Sequence, residues 1–131
     1  MSNLPKNFDR PLSPHLQVYK LPMTALMSIT HRMTGVVLSG GCVLIAAFLV
    51  AAALGPDYYN PVMDYVRTDY GLWFMLAWAA ALYYHLCNGI RHLIWDTVHL
   101  LEFGQAKAAG WVVLLATAIL TAGTWYLATQ V

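Results

Sequence analysis

With 131 residues, 60% of them hydrophobic and only 10% charged, the chain departs from the roughly 25% charged composition of soluble domains and reads as an all-α membrane protein. Its net charge of +1 leaves no basic stripe to displace counterions from phosphates, which excludes nucleic acid as a partner. Cys42 and Cys87 lack CxxC spacing, so neither a disulfide framework nor a zinc site is supported, and both read as small buried hydrophobes.

Residues 1–22 contain Pro5, Pro11, Pro14 and Pro22, which remove backbone donors and bias their predecessors away from helix, so this segment is expected to be an extended cytoplasmic arm. It has neither the basic-then-apolar order of a secretory signal nor the acid-free, Arg-rich pattern of a transit sequence. A bacterial inner membrane is therefore favoured over a mitochondrial one. Residues 23–131 form the membrane unit, with three transmembrane helices expected at about 30–54, 70–95 and 110–130.

The first helix is expected to begin near Met23, with Thr24 or Ser28 as a cap, and to end at Gly55 and Pro56. No Asp, Glu, Lys, Arg or His lies between Met33 and Pro56, and the small residues Gly35, Ser39 and Cys42 suit close helix packing. The segment Asp57 to Asp69 mixes tyrosines, acids, Pro61 and Arg67, as a short interfacial helix on the outer face would. A second helix runs from about Gly71 to beyond Trp95. A loop follows over about Thr97 to Ala109, and a third helix starts near Gly110. Trp73, Trp95, Trp111 and Trp125 fall near helix ends, like an aromatic belt. Lys6, Arg10, Lys20, Arg32, Arg91 and Lys107 fall on one side of the three spans and Arg67 on the other, which places the N-terminus and second loop in the cytoplasm.

Two clusters carry chemistry. At the end of the second span, His85, Gly89, His92 and Asp96 share one helical stripe, and His85 stands six residues before Arg91, about 9 Å deeper along the axis. An imidazole at that depth needs a partner. A neutral histidine bonded to a neighbouring helix satisfies that need, and so does haem, whose ring requires the side-chain-free surface that Gly89 offers. With no other histidine deep in a span, the chain supplies one axial ligand, and a bis-histidine b-type haem takes its second from a partner subunit. The absence of CxxCH excludes covalent attachment.

At the mouth of the first span, Ser28 and Arg32 share a face at i, i+4. A hydroxyl beside a guanidinium can bond quinone carbonyls, although a helix cap plus a cytoplasmic anchor charge uses the same residues. His31, Arg32, Arg91 and His92 lie at one level, where propionates require cationic donors. Arg91 equally suits a topology anchor, and Asp96 a partner for Arg91 or His92. His15 and His99 read as solvated or interface residues.

Arg10 to Leu16, Ser28 to Gly35 and His85 to Asp96, taken in order, resemble the succinate dehydrogenase cytochrome b556 subunit family, and the resemblance covers nearly the whole chain. It implies a membrane anchor of a four-subunit complex, in which a flavoprotein subunit oxidises succinate and an iron-sulfur subunit passes the electrons on. Two anchor subunits then bind haem b and ubiquinone among membrane lipid. By that similarity His85 is the axial ligand of the haem iron, and Ser28 and Arg32 line the quinone site. His31, Arg32 and His92 would lie near the propionates, and the N-terminal arm would rest on the iron-sulfur subunit. The anchor of a fumarate reductase working in the opposite direction is the alternative from the same class, and a haem-free structural or assembly subunit is the alternative from another.

Overall fold

A computed structural model describes residues 20–130, which form four helices: α1 (Met23–Leu54), α2 (Pro56–Val66), α3 (Asp69–Asp96) and α4 (Phe103–Ala128). Residues 1–19, and with them most of the expected arm, including His15, lie outside the described residues.

Local chemistry sets the element ends. Pro22, extended at φ −63° and ψ 151°, precedes α1 and cannot itself extend a helix backwards. Gly55 at φ 107° occupies a backbone region that L side chains rarely adopt, so one glycine closes α1 and turns the chain into α2, whose first residue is Pro56. Thr68 caps α3, its hydroxyl accepting from the Gly71 amide at 3.1 Å. The expected end of the first helix at Gly55 and the short helix after it are both present. The last helix differs: it begins at Phe103, two turns before the expected Gly110, and leaves a connection of only Thr97 to Glu102. Gln105, Ala106, Lys107, Ala108 and Ala109 are good helix formers, and a start judged from the apolar run alone overlooks them. In that short connection Val98 and Leu100 take positive φ of 64° and 59°, and the Trp95 indole NH donates to the Leu100 carbonyl at 3.1 Å.

Two helices, α1 and α4, are long and apolar enough to cross a membrane. At 1.5 Å per residue their 32 and 26 residues extend about 48 and 39 Å. Tyrosines, tryptophans and His85 dilute the apolar stretch of the 28-residue α3, which falls short by composition although not by length.

Small residues and polar anchors, rather than a large apolar core, hold the helices together. Among the described residues only Met27, Ala106 and Val113 are buried hydrophobics, while large apolar side chains such as Val36, Leu49, Leu93 and Leu115 point outwards. The Trp78 ring lies against Gly41 of α1, where any side chain would collide with it. Gly110 of α4 receives Met27 and Met23 of α1, with the Met27 sulfur 2.9 Å from where a Cβ would stand. Trp73 stacks on Trp125 at 5.3 Å, and the Tyr83 and Thr124 hydroxyls bond at 2.8 Å, both joining α3 to α4. The Thr30 and Tyr84 hydroxyls bond at 2.5 Å and join α3 to α1.

Arg91, 2% exposed, is anchored beside Asn88, which at 0% is the most buried polar residue described. The Arg91 guanidinium donates to Asn88 Oδ1 at 3.2 Å and to the Ala106 carbonyl of α4 at 3.3 Å, and lies 4.1 Å from the centre of the Trp95 ring. Arg91→Leu leaves the buried Asn88 Oδ1 without its donor and removes the tie to the Ala106 carbonyl of α4, with an expected loss on the order of 2–3 kcal/mol. Arg91→Lys recovers little of it, because an ammonium lacks the planar fork. Thermal unfolding of the detergent-solubilised protein tests this, and an unchanged midpoint in Arg91→Leu contradicts it.

Candidate functional site

Where α1 crosses α3, His31, Thr34 and Gly35 face His85, Gly89 and His92. Gly35 permits the close approach. A Cβ there would sit 3.0 Å from His85 Cε1, tighter than nearly all real contacts, so the imidazole rests on bare α1 backbone. His85 Nδ1 is 3.1 Å from the His31 carbonyl oxygen and 3.1 Å from Thr34 Oγ1. The Thr34 hydroxyl donates to that same carbonyl at 2.8 Å.

A carbonyl oxygen can only accept, so Nδ1 carries a proton, and in the neutral imidazole Nε2 then has the lone pair. Among the described residues no hydrogen bond reaches Nε2 of His85. A ring oriented through Nδ1–H with a bare Nε2 is the form in which histidine binds a metal. The donor chemistry thus fits one axial position on a haem iron.

Three imidazoles stand in a row. His31 lies 4.1 Å from His85, centre to centre, with 30° between planes, and 5.2 Å from His92 with 21°. The edge of Trp95 meets His92 at 4.9 Å and 87°, so the row continues to the ring that carries Arg91. Imidazole lone pairs lie in the ring plane. The His31 ring lies beside the face of His85, tilted by 30°, so the in-plane lone pairs of the two rings do not point at each other. Among the described residues His31 Nε2 is buried without a hydrogen-bond partner, close to Gly89, where a Cβ would stand 3.9 Å from it.

The sequence stripe is brought together in large part: His85, Gly89 and His92 meet α1, and His31 joins them. Glycine clearance beside the His85 ring comes from Gly35, while Gly89 borders His31. Arg91 departs from the expected rim. Its guanidinium is buried between helices and bonded to Asn88 and Ala106, which corrects the picture of a side chain reaching out to the interface beside His92. Asp96 is exposed and forms no ion pair with Arg91 or His92 among the described residues. Arg32 is exposed and Ser28 half-buried, and the Arg32 Nε donates at 3.3 Å to the Ser28 carbonyl, which leaves the hydroxyl free of that contact. His99 is exposed and bonds Thr97 at 2.9 Å.

Thr34, Tyr84 and Asn88 are not among the residues expected from sequence to carry the site. Their spacing carries a signal in retrospect: Thr34 follows His31 by three residues, and Asn88 stands three from both His85 and Arg91, all helical same-face intervals. An apolar groove of about 480 Å³ between α3 and α4, lined by Cys87, Ile90, Ile94, Ala109 and Val113, has no histidine in its wall.

Comparison with known proteins gives the family. Residues 6–124 match the family described as succinate dehydrogenase/fumarate reductase transmembrane subunit. The chain is 41% identical over 112 residues to the succinate dehydrogenase cytochrome b556 subunit of Paracoccus denitrificans, covering 86% of each. It is 36% identical over 116 residues to the Rickettsia felis subunit of that name, covering 88% of this chain and 90% of the relative. With the mitochondrial cytochrome b560 subunit of Dictyostelium discoideum it shares 39% over 115 residues, 86% of this chain and 59% of the other. The chain belongs to the succinate dehydrogenase/fumarate reductase transmembrane subunit family.

Proposed function

We propose that the chain is a membrane-anchor subunit of succinate dehydrogenase, with His85 as one axial ligand of a haem b shared with a second anchor, and Ser28 and Arg32 as one wall of a ubiquinone-reduction site. The observation that carries the haem assignment is the His85 ring, held at Nδ1 by the His31 carbonyl and open at Nε2. The His31 ring lies beside the His85 face instead of opposite its Nε2, which supports taking the second ligand from the partner anchor rather than from this chain. Haem b, when bound, supplies a one-electron store beside the quinone.

Three spans, α1, α3 and α4, suit that assembly. Between Tyr70 and Ile90 the only Asp, Glu, Lys, Arg or His is His85, and a haem ligand removes the objection that its polarity raises. Lys20, Arg32, Arg91 and Lys107 then lie at the cytoplasmic ends and Arg67 at the opposite one, in a bacterial inner membrane. The flavoprotein and iron-sulfur subunits would dock on the cytoplasmic side, where succinate is oxidised and from which electrons arrive.

In the quinone site Arg32 brings positive potential to a carbonyl oxygen that gains charge on reduction, and Ser28 offers a hydroxyl. Ser28 and Arg32 both lie within one turn of His31 on α1, which puts the quinone wall beside the ring row. His31 and His92 are the propionate-level donors of this arrangement, with Gly89 bordering the cofactor.

His85→Leu is expected to abolish or strongly perturb the reduced-minus-oxidised b-type spectrum of the purified complex, and a wild-type spectrum would sink the ligand assignment. Arg32→Leu should lower succinate-to-quinone activity about tenfold or more, the effect of losing a charged hydrogen bond. Succinate oxidation by artificial dyes should stay intact, and normal quinone activity in that variant refutes the site.

A further inference from the structure

We propose that Thr34 is a positioning residue for His85, whose hydroxyl shares the Nδ1 proton and thereby sets the basicity of Nε2 and the redox poise of the haem; this rests on the ligand role of His85. A threonine bonding back to a helix carbonyl is commonplace. Here the same oxygen that donates to the His31 carbonyl at 2.8 Å also lies 3.1 Å from His85 Nδ1 on the neighbouring helix.

The His31 carbonyl is crowded. It faces the Thr34 hydroxyl at 2.8 Å, His85 Nδ1 at 3.1 Å and, as a carbonyl inside α1, the amide four residues on. An oxygen with two lone pairs cannot serve three donors fully. The Thr34 oxygen still has free lone pairs after donating its proton, so it takes part of the Nδ1–H bond. Gly35, next in sequence, lets the ring come close enough to reach it.

A hydrogen bond accepted from Nδ1–H makes the imidazole a stronger donor through Nε2 and favours the more highly charged ferric iron. Weakening that bond favours the ferrous form. Thr34→Val keeps the shape and deletes the hydroxyl, whereas Thr34→Ser keeps the hydroxyl.

Both variants would be purified as whole complexes, together with His85→Leu, and measured for haem content and by potentiometric titration of the b-type signal. Thr34→Val deletes one acceptor of Nδ1–H and at the same time frees a lone pair of the His31 carbonyl for it, so the ferric–ferrous equilibrium should move about tenfold, about 59 mV for one electron, with a sign that reports which acceptor dominates, while Thr34→Ser stays near wild type. Loss of haem in Thr34→Val alone, with Thr34→Ser fully loaded, also supports the role, because it shows a ring no longer held. A wild-type potential in Thr34→Val, or an equal shift or equal haem loss in both threonine variants, overturns it. A wild-type b-type signal in His85→Leu instead defeats the ligand role, and is distinguishable from failure at Thr34 because it appears in a different variant.

Discussion

Polar groups on the inner faces of long apolar helices must find their partners inside the protein, and that constraint shapes this chain more than apolar burial does. Unpaired polar groups in an apolar surrounding cost several kcal/mol each. The helices accordingly meet through Arg91 with Asn88 and Ala106, Tyr84 with Thr30, Tyr83 with Thr124, and His85 with His31 and Thr34. Only three hydrophobic residues are buried among the described ones, so removing a polar anchor has few core contacts to compensate for it. Bare backbone at Gly41 and Gly110 provides the rest of the fit.

The candidate site is built by the same means. Its histidines lie in the α1–α3 crossing itself, so the bond that joins those helices also orients the His85 ring and decides which of its nitrogens is bare. α4 brings no histidine, yet it braces α3 from behind through the Arg91 contact with Ala106, and Trp95 links that brace to His92. Helix packing and site geometry are therefore coupled through a few named side chains within about three helical turns of α3.

Membership of the transmembrane-subunit family and the half-site character of the histidine row are mutually consistent. The imidazoles lie beside one another rather than tip to tip, and among the described residues His85 Nε2 and His31 Nε2 are both without a hydrogen bond. The many outward apolar side chains of α1, α3 and α4 suit lipid and a neighbouring helical subunit.

Much of this was legible in the amino-acid sequence because its signals are local. Apolar runs bounded by Gly55 and Pro56, the 3.6-residue stripe of His85, Gly89 and His92, and the Ser28 to Gly35 motif depend on spacing along one helix, as did the family resemblance. What tertiary structure alone decided involves partners far apart in the chain. Which glycine receives the His85 ring, that Arg91 turns inward to α4 instead of outward to the interface, that Thr34 shares the Nδ1 proton, and that His31 stacks between two other imidazoles all depend on how α1, α3 and α4 cross. A one-helix pattern states which face a side chain is on, and only the crossing geometry states what that face meets.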